Sequence, residues 1–335
     1  MEEFSAASGI SRPTVSKYFN DPGSVRKSTR EKIERAVAEF DYRPNRFAMN
    51  LNRRTPKNIG IIVPYLVDPF FAEVVRQIEL RCTQAGYWAV VLSSHGQSSL
   101  EANALDTLRS LKIAGAILAP LGEASDAHRI EQLSGEVPVV FLDSRTSDRI
   151  PFAGTDNAQS VSLMVDYLCR SGEPPCFLEM PRVNQNAAER KDAYLATMKR
   201  LGFEPAILTV GAGAGWNFEE MGYDAATRIL GGTGFPTRTV LCANDRIAIG
   251  ALAAACARGV RVGIGPGCDL RVAGHDDHPL SRFTCPSLTT VAQDYQGLAA
   301  RSLEMLLQLI DATQDSSAAP EHSLLEARLM MRASA

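Results

Sequence analysis

The chain has 335 residues, 45% hydrophobic and 22% charged, enough apolar material for a large core and, at roughly 100–200 residues per domain, for two or three domains. Seven cysteines without a C-x-x-C pair argue against a disulfide framework and for reduced thiols in a cytoplasm, the acidic opening MEEFSAAS is unlike the basic start of a secretory signal, and no apolar run approaches the ~20 residues that span a bilayer. The net charge of −3 is unevenly placed: residues 1–57 hold 12 Lys and Arg against 7 Asp and Glu, the remainder 23 against 31, so a basic head on an acidic body offers one end to a polyanion.

The head opens with a short helix in which Phe4 and Ala7 share a face, followed by Gly9, which can take φ > 0 at a tight corner. Ser11 is placed to cap a second helix, and Pro13 falls in its first turn, where a missing N–H costs little. Val15 and Phe19, four apart, make its apolar side, while the hydrogen-bond formers Arg12, Ser16, Lys17 and Asn20 project elsewhere. Helix, turn and short polar-faced helix make a helix-turn-helix, whose second helix enters the DNA major groove. Val25 to Phe40 is predicted as a third helix, with Ile33, Val37 and Phe40 covering Phe4, Val15 and Phe19. Pro44 ends it. RFAMNLNRR, before Pro56, has the length of about two helical turns, marginal in water without DNA or a second copy. Phe47, Met49 and Leu51 are apolar in an otherwise polar linker, and such residues need something to contact.

From Asn58 onward, strand and helix patterns alternate. Strands are predicted at NIGIIVP (58–64), YWAVVLSS (87–94), AGAILAP (114–120), VPVVFLD (137–143) and FAGTD (152–156), then in a second series at PCFLEM (175–180), AILTV (206–210), TVLCA (239–243) and LRVAGHD (270–276). Helices are predicted near 71–85, 101–111, 157–171, 188–201, 218–230, 246–258 and 296–310. Alternation of this kind implies parallel sheets with helices on both faces, and two series imply two similar halves with a cleft that a ligand can close. Ligands of open α/β sheets bind beyond the carboxyl ends of strands. There stand Asp68, Phe70 and Phe71, then Asp143, Arg190, Trp216, Asn244 and Asp276. Aromatic faces with carboxylates and one arginine suit a polyhydroxylated ligand, rings packing on its C–H faces and carboxylates accepting from its hydroxyls.

Taken together, the chain resembles the lactose-repressor (LacI/GalR) family of transcription regulators over nearly its whole length. The matching head residues are Gly9-Ile10-Ser11, Thr14-Val15-Ser16-Lys17, Thr29-Arg30-Glu31-Lys32 and Tyr42-Arg43-Pro44-Asn45-Arg46. The resemblance implies an N-terminal all-α helix-turn-helix domain (1–43), a hinge helix (44–57) and an α/β periplasmic-binding-protein-like core of two Rossmann-like subdomains (58–335). The chain would cross between these near 154–157, 284–289 and 319–323, giving one subdomain about 58–155 and 287–319 and the other 156–286 and 320–335. The implied DNA contacts come from Arg12, Pro13, Thr14, Ser16, Lys17, Asn20, Tyr42, Asn45 and Ala48, with Leu51 wedged into the minor groove at the centre of a near-palindromic operator. The strand-end residues above match the family's effector-contacting places, and Gln293 adds another. A homodimer, a carbohydrate effector and a cytoplasmic location are the further expectations, with a solute-binding protein lacking a DNA role as the alternative.

Two departures stand out. Met1 already lies inside the first helix, so either that helix is short or the natural start lies upstream. Pro13 occupies a base-reading position and offers only apolar contact, to a thymine methyl for instance, which leaves hydrogen-bonded readout to Arg12 and Lys17. GAGAGW (211–216) lacks the third glycine of a dinucleotide fingerprint, and the consecutive run His275-Asp276-Asp277-His278 cannot easily converge on one ion. With no G-x-S-x-G, H-E-x-x-H or P-loop, neither catalysis nor a cofactor or metal is expected.

Overall fold

The computed structural model describes residues 2–40, 42, 56–211, 215–312 and 319–335. Asn45, Ala48 and Leu51, and with them the expected hinge helix, lie outside these residues, as does the side chain of Asn20.

In the head, α1 (Glu2–Ser8) turns at Gly9, with φ of 63°, into α2 (Arg12–Asn20), and a 3-10 turn at Pro22–Ser24 leads to α3 (Lys27–Glu39). Phe4, Val15, Ile33 and Ala36 form the buried centre. Two details differ from the sequence reading. Ser11 makes no capping bond; its hydroxyl pairs with that of Thr14 at 2.8 Å. Phe40 is 46% exposed and meets Phe4 only edge-on, while the ring of Tyr42 stacks on Phe4 with centroids 4.3 Å apart. The turn after α3 folds Tyr42 back over the core, where its half-buried ring packs on Phe4.

The body contains, in order, β1 (Asn58–Val63), α4 (Pro69–Gln84), β2 (Trp88–Ser93), α5 (Ser98–Ser110), β3 (Gly115–Leu118), α6 (Ala127–Glu136), β4 (Val139–Leu142) and β5 (Phe152–Thr155). The second series is α7 (Asn157–Ser171), β6 (Cys176–Glu179), α8 (Gln185–Leu201), β7 (Ile207–Thr209), α9 (Phe218–Leu230), β8 (Thr239–Cys242), α10 (Asp245–Ala257) and β9 (Arg271–Ala273). The chain ends with β10 (Thr290–Ala292), α11 (Tyr295–Asp311), β11 (His322–Leu325) and β12 (Arg328–Met330). The first half is a parallel sheet in the order β11-β5-β4-β3-β1-β2, and the second a parallel sheet in the order β7-β6-β8-β9. Central β1 is buried at all six positions, as its unbroken apolar run requires, whereas edge strand β2 is half-buried throughout.

Helix α6 escaped the sequence reading because few residues announce it: Ile130 and Leu133 are its buried side chains, and Asp126 caps it by accepting from the Arg129 N–H at 3.1 Å. The later crossings also fall elsewhere than expected. β10 pairs antiparallel with β12 and borders β9, Gly274 N–H donating to the Thr289 carbonyl at 2.9 Å, so the chain leaves the second half after Ala292 rather than near 284–289. His322–Leu325 pairs with β5 in the first sheet, so the last crossing comes after Leu325 rather than at 319–323. This short edge strand, His-Ser-Leu-Leu, alternates between exposed and half-buried positions and carries no long apolar run to mark it. In the second half α9 and α10 touch backbone to backbone: a Cβ at Gly222 would lie 2.3 Å from the Ile247 carbonyl oxygen, and one at Gly250 2.1 Å from that of Glu219.

Candidate functional site

The carboxyl ends of both sheets face one cleft. Asp68, Phe70, Phe71 and Asp143 from the first half, Arg190, Trp216, Asn244 and Asp276 from the second, and Gln293 from the crossing segment all line a single cavity. All nine effector positions read from the sequence are thus brought together. The cavity measures only about 40 Å³, room for about one water at ~30 Å³ each. The cleft is closed, and its polar groups have found one another.

Arg190 is the centre of the second-half wall. Its Nε donates to Asn157 Oδ1 at 3.0 Å and its Nη1 to the Ala243 carbonyl at 2.8 Å, and its Nη2 lies 3.2 Å from Asp276 Oδ1. Asn157 Nδ2 donates in turn to Asn186 and Glu189. Three of the guanidinium's five N–H donors are therefore committed to protein. Asp276 also accepts from Gln293 Nε2 at 2.7 Å and contacts His275 Nδ1 at 2.9 Å. Burial works against its charge, but Arg190 and these bonds outweigh it and hold the carboxyl below its ordinary range. Its φ of 123° is a backbone conformation that side-chain-bearing residues rarely adopt.

Ser160, His275 and Asp276 stand in hydrogen-bonded line, Ser160 Oγ 2.9 Å from His275 Nε2. This is no nucleophilic triad. Ser160 is wholly buried inside α7, so no substrate reaches it. Burial, then Arg190, pushes His275 down to about 4, leaving the ring neutral and in a positioning role for Asp276. His278 accepts through Nδ1 from the Leu280 N–H, so the two histidines serve separate local structures.

The halves are latched by Arg246, which the sequence reading placed only as a helix start. Its Nη1 donates to Asp68 Oδ2 across the cleft at 2.9 Å, and its Nε and Nη2 grip Glu219 at 2.8 and 2.6 Å. Its guanidinium lies 5.0 Å from the Phe218 ring centroid. Asp68 is further committed as the N-cap of α4, accepting from Phe70 N–H, so it is not the free acceptor the sequence reading supposed. A signal for Arg246 did exist: a cation in the first turn of a helix opposes the helix dipole and stays only if it has specific acceptors. Trp216 closes the cleft beside it. It stacks on Tyr65 at 6.4 Å, meets Phe71 at 6.2 Å, and packs on Gly96, where a Cβ would lie 2.3 Å from the indole.

Burial pushes the Asp143 carboxyl up to about 7 against the pull of Arg190. The folded chain therefore holds a proton that the unfolded chain releases near its ordinary value of 3.8, and stability present below that value is lost as the pH rises to about 7. Asp143→Asn removes this titration, and asparagine tolerates the φ of 64° found there. Urea unfolding between about pH 4.5 and 7 should show a shallower decline for the variant than for the parent. Asp245, pushed up likewise, titrates in both proteins and cancels from the comparison. Equal slopes would mean that Asp143 is ionised throughout.

In the head, Arg12, Pro13 and Lys17 are exposed and Thr14 and Ser16 half-buried, while Val15 faces inward. At 3.6 residues per turn, positions 12 to 17 place the first and last of these polar side chains within roughly 140° of arc opposite the core.

Residues 56–328 match the family model described as periplasmic binding proteins and sugar binding domain of LacI family, and residues 1–45 that of bacterial regulatory proteins, lacI family. The HTH-type transcriptional repressor CytR of Escherichia coli is 28% identical over 100% of this chain and 95% of its own length. The ribose operon repressor of Halalkalibacterium halodurans is 29% identical over 90% of this chain and 87% of its own. Among solved structures, a Lac repressor dimer bound to operator and the anti-inducer ONPF superposes with a TM-score of 0.84 and 29% identity, covering 99% of this chain and 97% of that one.

Proposed function

The chain belongs to the lacI family of bacterial regulatory proteins, a DNA-binding transcriptional regulator with an effector-binding core, and we propose that it acts as a homodimeric repressor whose grip on a near-palindromic operator is set by a polyhydroxylated effector in the cleft. The observation that carries this reading is the convergence of nine residues from both halves on one cavity. A ligand bound by both halves shifts the balance between closed and open cleft by its differential affinity for the two. The work of the head is then divided: Arg12 and Lys17 read bases, Pro13 offers apolar contact, and Thr14, Ser16 and Asn20 hold the backbone. Tyr42, stacked on Phe4, is assigned to DNA as well. Asn45, Ala48 and Leu51 are assigned to the minor groove.

The test begins with mobility shifts against genomic fragments to find the operator, followed by a thermal-shift screen of sugars and polyols, since a ligand of the folded state raises Tm. Operator affinity should then change on adding the sugars that raise Tm. A screen in which no sugar acts would remove the carbohydrate assignment. Lys17→Ala should cost about 1–3 kcal/mol on the preferred sequence and relax preference at one or two positions of each half-site. A uniform loss across all sequences would instead make Lys17 a phosphate contact.

A further inference from the structure

Beside the closed cavity lies a second, larger one of about 410 Å³, and Asn184 is on the wall of both. Its size falls within the range of small-molecule sites, about 300–1,000 Å³, whereas the closed cavity holds about one water. Its walls come from both halves: Arg145 and the 122–127 loop from the first, Arg182, Asn184 and Gln185 from the second. Three features of this antechamber suit an anion. Arg182 is exposed and makes no ion pair or hydrogen bond among the described residues. Among the described residues Arg145 spends only Nε, on Asp148, whose side chain is 80% exposed, and lays its guanidinium 4.7 Å from the Phe152 centroid. The 17-residue helix α8 begins at this cavity with, among the described residues, no side-chain cap and no acidic residue in its first turn to answer its N–H groups and positive dipole end. Glu123 is the single acid among the lining residues. At the shared wall, Asn184 Oδ1 is buried without a partner among the described residues, an acceptor for a hydroxyl of whatever passes between the two cavities.

We propose that this antechamber is an oxyanion subsite of the cleft, formed by Arg145, Arg182 and the amino end of α8, and that the effector is a phosphate ester whose polyhydroxylated part enters the core. Two guanidinium groups and a helix end match a dianion better than a single negative charge. The inference rests on the cleft being the effector site, and its test is built to fail separately from that reading. Inorganic phosphate is titrated into the full-length chain at constant ionic strength, with acetate in parallel, and Tm is recorded. Phosphate should raise Tm in the parent and in Lys17→Ala, and the affinity should fall about tenfold in an Arg145→Gln/Arg182→Gln double variant. Both side chains reach solvent or a cavity, so folding is preserved. A shift that survives in the double variant, vanishes in Lys17→Ala, or is absent from the parent overturns the subsite. So does an equal response to acetate, which would make the ligand a carboxylate. Next, each neutral sugar that raises Tm is compared with its phosphate ester, which should bind about tenfold more tightly to the parent and no more tightly to the double variant. If neither a neutral sugar nor a sugar phosphate binds, the carbohydrate reading of the cleft fails, and the phosphate titration still decides the subsite.

Discussion

Asp276→Ala is expected to lower the unfolding free energy by about 3–5 kcal/mol, the cost of leaving a buried charge without its partner. The side chains of Arg190 and Asp276 are only 6% and 16% exposed. Without the carboxylate, Arg190 keeps two neutral acceptors, Asn157 Oδ1 and the Ala243 carbonyl, while Gln293 Nε2 and His275 Nδ1 lose theirs. Glycine at the same position separates charge from backbone. At a φ of 123° a side-chain-bearing residue carries strain of order 1–3 kcal/mol, which glycine releases. Asp276→Gly should therefore be less damaging than Asp276→Ala by about 1 kcal/mol or more, although both remove the same carboxylate. Urea denaturation of the two variants reads the difference. Identical losses would show that the backbone at 276 is relaxed, and a loss under about 1 kcal/mol in the alanine variant would show that Arg190 is served by solvent.

Arg246→Met should cost about 3 kcal/mol and open the cleft. The substitution keeps an unbranched apolar stem against Phe218 and removes the bond to Asp68, whose side chain is 11% exposed. Glu219, with a side chain 45% exposed, is released into water at little expense. Asp68 must find solvent, and it does so by parting the halves. Small-angle scattering should report a larger radius, and emission should shift to the red as Trp216 leaves Tyr65 and Phe71, Trp88 being the other tryptophan. Adding Asp68→Asn removes the stranded charge and should restore much of the stability while leaving the cleft open, the mark of a coupled pair. An Arg246→Met chain with parental dimensions and emission would mean that Trp216 alone keeps the cleft closed.

The strand ends were legible because a parallel sheet buried on both faces demands continuous apolar runs, and the residues just after such a run must stand at the sheet's carboxyl edge. This locates Asp143 after VPVVFL, Asn244 after TVLCA and Asp276 after LRVAGH before any coordinate is known. Position was readable; pairing was not. Nothing in the local sequence says that Asp68 would meet Arg246, 178 residues away, or that Arg190 would be held by Asn157. Those partners are chosen by how two halves close, a property of tertiary geometry. The short edge strand at His322–Leu325 and the sparse helix α6 were missed for the opposite reason, since their burial is too slight to leave a periodic trace. Tyr42 shows a third limit: the resemblance names it as a DNA contact, and nothing in the local sequence says that its half-buried ring would also stack on Phe4.

The glycine contacts of α9 and α10 give the cleft its mechanical character. With Gly222 on the Ile247 carbonyl and Gly250 on that of Glu219, the two helices touch through main chain, with no side chains between them to yield. Glu219 and Arg246 ride on this pair, with Phe218 at its tip and Trp216 two residues ahead. Whatever displaces the indole pushes on the same stiff lever that carries the guanidinium. Stacking and ion pair must then let go together, and the cleft behaves as a snap-action toggle with two settings rather than a spring that stretches by degrees.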